Sequence, residues 1–267
     1  MGLADVHAHL TLPQNAAIID ELIANAEKAG VTTIITNAIS AADNRAVSDL
    51  AERFALVKPA FGIHPVETVP VDRHSDSTGR DEQNSSFSVD AVLDWIRDNI
   101  EKGFAVGEIG LDGHWVPERL WEKQEQVFTA LLDLALEAEK PVIIHSRKRE
   151  RRTFEILAEK GIKRVIWHCF GGKLKLAKRI AERGHYLSIP ANARRSKSFT
   201  AMLTSLPREL ILFETDCPYL SPERGRNSQP ADVALTRAYT AELWSASETE
   251  VEERLAENFT RLFGVEP

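Results

Sequence analysis

Two histidines one residue apart open the chemistry of this chain. They stand in Leu3-Ala4-Asp5-Val6-His7-Ala8-His9-Leu10, an apolar run that reads as a buried β-strand. Side chains two apart on a strand face the same way, so Asp5, His7 and His9 are expected on one side, with both imidazoles in reach of one cation. Alone, such a pair is no more than two loop histidines, but the rest of the chain supplies partners. Residues of metal-ligand type sit at the ends of further apolar runs: His64 (third), Glu108 (fourth), His145 (fifth), His168 (sixth) and Asp216 (eighth). Of eight histidines, only His74, His114 and His185 lie elsewhere. Chance does not readily place five histidines and two carboxylates on one rim. The set offers nitrogen and oxygen only, which suits Zn, Mn or Fe and tolerates Mg at an oxygen-rich position. Cys169 and Cys217 each directly follow a candidate ligand. They are expected on the opposite strand face, as packed core residues rather than ligands.

The elements that must carry these residues alternate along the chain. Helical spacing of Ile19, Leu22, Ile23 and Ala26 predicts a helix over 15–29, and β-branched 31–36 a second strand. A helix over 43–54 and a strand ending at 61–65 follow. Residues 72–88, polar and nearly free of aliphatics, read as an exposed loop. Helices are expected over 88–102, 117–140, 153–160, 174–183 and up to about residue 206. Strands are expected at 104–109, 141–145, 164–169, 186–190 and 210–216, with two terminal helices after them. The last opens on Ser247 and Glu250 in capping-box spacing. Gly30, Gly103, Gly161 and Gly184 each precede a strand, as glycines closing helices do. Eight strands alternating with helices predict a parallel sheet, best closed as a single-domain α/β (β/α)8 TIM barrel over 1–267. An open doubly wound sheet fits less well, because no glycine-rich dinucleotide fingerprint follows the first strand. Barrel active sites form where the strands end, which is where the candidates lie.

Composition narrows the partners. The 267 residues are 43% hydrophobic and carry a formal charge of −7, which argues against tight non-specific duplex binding. No apolar stretch approaches the roughly 20 residues of a membrane span. The N-terminus lacks the basic and apolar regions of a signal peptide, and two cysteines give no disulfide framework, so a cytoplasmic location is expected; a monomer is expected as well. Within the acidic whole, segments 146–152, 171–178, 190–198 and 217–229 hold thirteen Lys and Arg against Glu150 and Glu223. A basic mouth on an acidic body focuses anionic substrates. Cations at 149–152 would also oppose the dipole of a helix starting there, so a solvated charge run explains them poorly. Arg147 is the first choice for a substrate clamp, with Arg226 beside it.

The motifs together are similar to the TatD-type deoxyribonuclease family of amidohydrolase-like hydrolases. They are Asp-x-His-x-His at 5–9, Gly-Ile-His-Pro at 62–65, Gly-Glu-Ile-Gly-Leu-Asp at 107–112, His-Ser-Arg at 145–147, His-Cys-Phe-Gly-Gly at 168–172, Glu-Thr-Asp-x-Pro at 214–218 and Asn-x-x-Arg-Leu-Phe at 258–263. The likeness runs in order over essentially the whole chain. It implies a two-metal phosphodiesterase: His7, His9 and Asp216 on one divalent ion (Zn, Mg or Mn), His145 and His168 on the other, and Glu108 bridging. It further implies Asp216 as general base and His64 as a hydrogen-bond donor to phosphate. The expected reaction is 3′-to-5′ removal of nucleotides from DNA ends, single-stranded because a small basic mouth admits an end better than a duplex. Hydrolysis of a small ester, lactone or amide on the same ions is the alternative; a non-catalytic metal-dependent binding protein is the third, disfavoured by the intact ligand set. Two departures bear on substrate contacts: Gly113-His114-Trp115 follows Gly-Leu-Asp, and Arg226-Asn227-Ser228-Gln229-Pro230 replaces the common Arg-Asn-Glu-Pro.

Overall fold

A computed structural model describes residues 2–69 and 88–267. The strands are β1 (Leu3–Ala8), β2 (Val31–Asn37), β3 (Val57–Phe61), β4 (Ala105–Asp112), β5 (Val142–Arg147), β6 (Val165–Trp167), β7 (Tyr186–Pro190) and β8 (Ile211–Glu214). Each pairs in parallel with the next, in sequence order. Between and after them run α1 (Pro13–Ala16), α2 (Ile19–Lys28), α3 (Ala41–Arg53), α4 (Val89–Asn99), α5 (Trp121–Glu137), α6 (Glu150–Glu159), α7 (Leu174–Glu182), α8 (Lys197–Ser205), α9 (Val233–Trp244) and α10 (Glu248–Phe263). This is the (β/α)8 TIM barrel that the alternation predicts.

Burial on both faces explains the β-branched strands. Ile34, Ile35, Ile143, Ile144, Val165 and Ile166 are all fully buried, as are the larger Trp167, Phe61 and Phe213. Each such side chain contributes about 1.5–3 kcal/mol relative to exposure. Serine caps set four helix starts: Ser40 on α3, Ser88 on α4, Ser196 on α8 and Ser247 on α10, the last with Glu250 in the expected capping box. Gly30, Gly161 and Gly184 take the positive φ expected at helix ends, whereas Gly103 does not. Its lack of a side chain serves packing instead, since a Cβ would lie 3.0 Å from the Phe61 ring.

Side chains complete the seam between β8 and β1. Thr215 donates its amide (2.9 Å) and its hydroxyl to the Asp5 carboxylate, while the Asp216 amide donates to the His7 carbonyl at 2.8 Å. Asp5 is therefore spent on closing the barrel. Although it shares the strand with His7, it lies about 6.6 Å lower along it and points at the seam.

Several boundaries differ from expectation in ways that matter for the site. The segment 15–29 is two helices, with a break at residues 17–18. β4 continues past Ile109 to Asp112, so Glu108 lies within the strand rather than at its tip. β6 and β8 stop at Trp167 and Glu214, leaving His168 and Asp216 on the loops that follow. The loop expected at 72–88 falls, apart from Ser88, outside the described residues.

Candidate metal centre

All seven candidate ligands meet at the carboxyl end of the barrel, with Glu108 in the middle. Its Oε2 lies 3.6 Å from His7 Nε2 and 3.5 Å from His9 Nε2. Its Oε1 faces His145 Nδ1 at 2.6 Å, His64 Nε2 at 3.7 Å and His168 Nε2 at 3.8 Å. Asp216 Oδ1 lies 3.7 Å from His7, 3.4 Å from His9 and 4.0 Å from His168. Atoms near enough to share an ion form overlapping triads: His7–His9–Asp216, His7–Glu108–His168 and His64–Glu108–His145. The expected partners His145 and His168 stand further apart, with ring centroids separated by 6.5 Å, and His168 stacks on His7 at 3.6 Å.

Local structure fixes each ring. His9 Nδ1 meets the Asn37 carbonyl at 3.1 Å, which only accepts, so Nδ1 carries the proton and Nε2 is left with a lone pair. His168 Nδ1 donates to Glu214 at 2.9 Å, again turning Nε2 inward. His145 is reversed: Nε2 donates to Asp112 at 2.9 Å and Nδ1 is presented to the centre. Gly110 allows this placement, because a Cβ there would lie 2.0 Å from the His145 carbonyl oxygen. His64 Nδ1 accepts from the Val66 amide at 3.2 Å, so its inward Nε2 is a donor rather than a ligand. His7 Nδ1 is buried with no hydrogen-bond partner among the described residues. Asp216 takes φ of 56°, which turns its carboxylate back over the β1 histidines, a conformation that aspartate tolerates.

These donors fit divalent cations. His7 and His9 aim Nε2 atoms at each other from 3.2 Å, close enough for a hydrogen bond in one His7 tautomer or for both nitrogens to reach one cation in the other. Separations of 3.4–3.7 Å among these nitrogens, Glu108 Oε2 and Asp216 Oδ1 are long for hydrogen bonds. They match the edges, about 3.4 Å, of a tetrahedron with ligands at about 2.1 Å.

The electrostatics point the same way. Burial opposes charge throughout. It prevails at His7, whose imidazole it holds, with His168, below its ordinary value. For Glu108, Asp216, His145 and His168 the neighbouring carboxylates and imidazoles outweigh it. Burial pushes Glu108 up, but His64 and His145 hold it well below the usual carboxylate range. Asp216, despite the same penalty, is held down by His168 and His9. Against its own burial, His145 is lifted by Asp112 and Glu108 to about 9, and His168 by Glu214 and Asp216 to about 10. Without a metal, protons do the cations' work.

Asp112 and Glu214, which hold His145 and His168, had no role assigned from the sequence. Both are fully buried, and each does several jobs. Asp112 Oδ1 also accepts the amides of His114 and Trp115, each at 2.7 Å. Glu214 also accepts the Cys169 amide at 2.9 Å and the Ser188 hydroxyl. The available signal was position: Asp112 lies four residues beyond Glu108, and Glu214 two before Asp216, inside motifs already singled out. Cys217 is buried as expected. Cys169 is only half-buried, with its sulfur near His168 and Glu214. Strand alternation does not govern it, because β6 has already ended and its φ is 40°.

The cations above the centre differ from expectation. Arg149 and Arg152 both fold onto Glu125 of α5, Arg151 pairs with Glu155 at 2.9 Å, and Arg194 pairs with Glu242. Arg226 grips Asp232 through two 2.8 Å bonds. Arg149 and Arg152 thus dock α6 on α5 and Arg151 pairs within α6, so the helix-dipole inference for free cations at 149–152 fails. Arg147 keeps no acidic partner among the described residues and lies over the Trp115 ring at 5.5 Å.

A parallel barrel whose strand ends gather nitrogen and oxygen side chains is a scaffold for metal-dependent chemistry. Known proteins narrow that chemistry. The model of the TatD-related DNase family matches residues 4–264, and this chain belongs to that family. Human deoxyribonuclease TATDN3 is 30% identical over 269 residues, covering 98% of this chain and 95% of its own. The uncharacterized metal-dependent hydrolase YabD of Bacillus subtilis is 31% identical, covering 98% and 99%. The crystal structure of the TatD homolog YJJV of Escherichia coli superposes with a TM-score of 0.84 at 27% identity, over 98% of both chains. An uncharacterized amidohydrolase of Saccharomyces cerevisiae, at 14% identity and a TM-score of 0.80, shares the fold.

Proposed function

We propose that this chain is a two-metal phosphodiesterase that removes nucleotides from single-stranded DNA ends in the 3′-to-5′ direction. The observation that carries the reading is Glu108, whose two oxygens serve two sets of imidazole nitrogens. His7, His9 and Asp216 would hold one divalent ion, His145 and His168 the other, and Glu108 would be shared. Zn, Mg and Mn all suit these donors. Ions held there supply positive charge to phosphate oxygens and bring the ionisation of water towards neutral pH.

The chain's own residues do the rest. Asp216 is kept anionic by its imidazole neighbours, so it can take a proton from the attacking water. Its Oδ1 faces His7 and His9, which leaves Oδ2 for that proton. His64 directs its Nε2–H inward and donates to a phosphate oxygen. Arg147, two residues beyond His145 on β5, points to the same side of the strand and clamps the next phosphate. Arg226 is held by Asp232 and acts on the shape of its own loop. Pairing of five of the thirteen rim cations with acids shrinks the positive area, and a small one favours an end over a duplex. A single chain carries the whole ligand set, so a monomer suffices.

The test strips the protein of metal and restores Mg, Mn or Zn while an end-labelled oligonucleotide is followed. Recovery of stepwise shortening from the 3′ end, dependent on the added ion, is expected. Turnover of lactones or nitrophenyl esters without any phosphodiester cleavage would replace this reading with the small-ester one.

A further inference from the structure

All five tryptophans of the chain are described, and only Trp115 is exposed, at 44%. It does not sit on a free surface loop. Its amide and that of His114 are both tied at 2.7 Å to Asp112 Oδ1, while Asp112 Oδ2 holds His145 at 2.9 Å. One buried carboxylate thus locks a candidate metal ligand and the turn that displays the ring. Gly113 lets that turn pack closely, because a Cβ would lie 2.9 Å from the Arg149 side chain. His114 braces Trp115 edge-on at 4.4 Å, and Arg147 lies over the ring at 5.5 Å. The result is a rigid aromatic surface beside a cation, at the exit of β4 and β5. Leaving an indole in water while fixing its backbone costs stability, and binding to an already ordered ring avoids the cost of ordering it later.

We propose that Trp115 is a stacking platform for the nucleobase next to the phosphate that Arg147 clamps. The inference deepens the nuclease reading and rests on it. The chemistry favours a base over an apolar ligand: an aromatic ring beside a guanidinium matches a nucleotide, with a flat π-face and an anionic phosphate joined by a short sugar. Such stacking tolerates any base, and it needs that base unpaired from a complementary strand. Trp115 would thereby contribute to the preference for single-stranded ends.

The test uses full-length Asp216→Asn protein with Mg, so that the strand is held and not cut. Dissociation constants are measured by anisotropy for a labelled oligonucleotide and for the same strand with one abasic residue, placed at the last or the next-to-last position. The protein is expected to bind the intact strand about tenfold more tightly than one of the abasic strands. Adding Trp115→Ala should bring that ratio near one, and Trp115→Phe should keep most of it; thermal melting checks that each variant is folded. A ratio unchanged in Trp115→Ala overturns the platform and leaves the nuclease reading intact. Failure to bind either strand, together with no phosphodiester cleavage by the unmutated enzyme, removes both.

Discussion

The floor of the mouth and its rim are built on opposite principles. On the floor, His9 and His168 are buried rings and His145 a half-buried one, and each has one partner fixing one nitrogen and leaving the other for the centre. On the rim, Arg151, Arg152, Arg194 and Arg226 are paired with acids of their own or neighbouring elements, while Arg147, Arg195 and Arg224 have no acidic partner among the described residues. Burial explains the contrast. A buried polar group without a partner costs roughly 1–3 kcal/mol, so these three rings each have a holder, while His7 Nδ1 has no hydrogen-bond partner among the described residues. An exposed ion pair is worth only about 0–1 kcal/mol, so rim charges can pair wherever an acid is near.

The comparison can be broken most directly on the floor. Asp216→Asn should lower turnover of an end-labelled oligonucleotide by about 10²–10⁴-fold while leaving the circular dichroism spectrum unchanged. Retained turnover would remove Asp216 as the base. A smaller effect is expected one layer out. Glu214→Gln should weaken divalent-metal binding by about 10–100-fold, read by calorimetric titration of the metal-free protein. Unchanged affinity would mean that the His168 ring needs no holder.

On the rim the two kinds of arginine should separate. Arg147→Ala is expected to weaken oligonucleotide binding and to reduce the slope of log affinity against log salt by about one. Arg152→Ala, removing a residue already spent on Glu125, should leave that slope alone and cost less than about 1 kcal/mol in denaturant unfolding. Equal slopes for both would erase the distinction.

The smallest effect is on metal-free stability against pH. His145 and His168 titrate at about 9 and 10 in the folded chain, above the ordinary 6.5. A raised value stabilises fully below 6.5 and progressively less as pH climbs through the folded values. The melting temperature of the stripped protein should therefore fall from pH 6.5 towards 10, and apparent metal affinity should rise over the same range as protons leave. A flat melting profile would show that the two rings are not charged.

Much of the site is legible along the chain because it obeys strand geometry. His7, His145 and Glu108 lie within strands, and His9, His64, His168 and Asp216 within a few residues of one. Parallel closure carries all of them to one end, so naming the strands names the neighbours. Strand geometry also sets the limit of that legibility. Cys169 lies past the end of β6 and escapes the alternation that was to place it. Asp5 obeys the alternation, yet Thr215 takes its carboxylate for the seam.

By itself, the order of residues pointed to the barrel and its eight strands, because hydrophobic periodicity and turn chemistry are local and repeat, and it singled out the candidate ligands by their places at strand ends and in the family's motifs. Only tertiary structure decided which nitrogen each histidine turns inward and which arginines stay unpaired. Those outcomes depend on Asn37, Asp112, Glu214, Glu125 and Asp232, and most of these partners come from other elements of the fold. Hydrogen bonds and ion pairs act over a few ångströms of space, and no spacing along the chain records that distance.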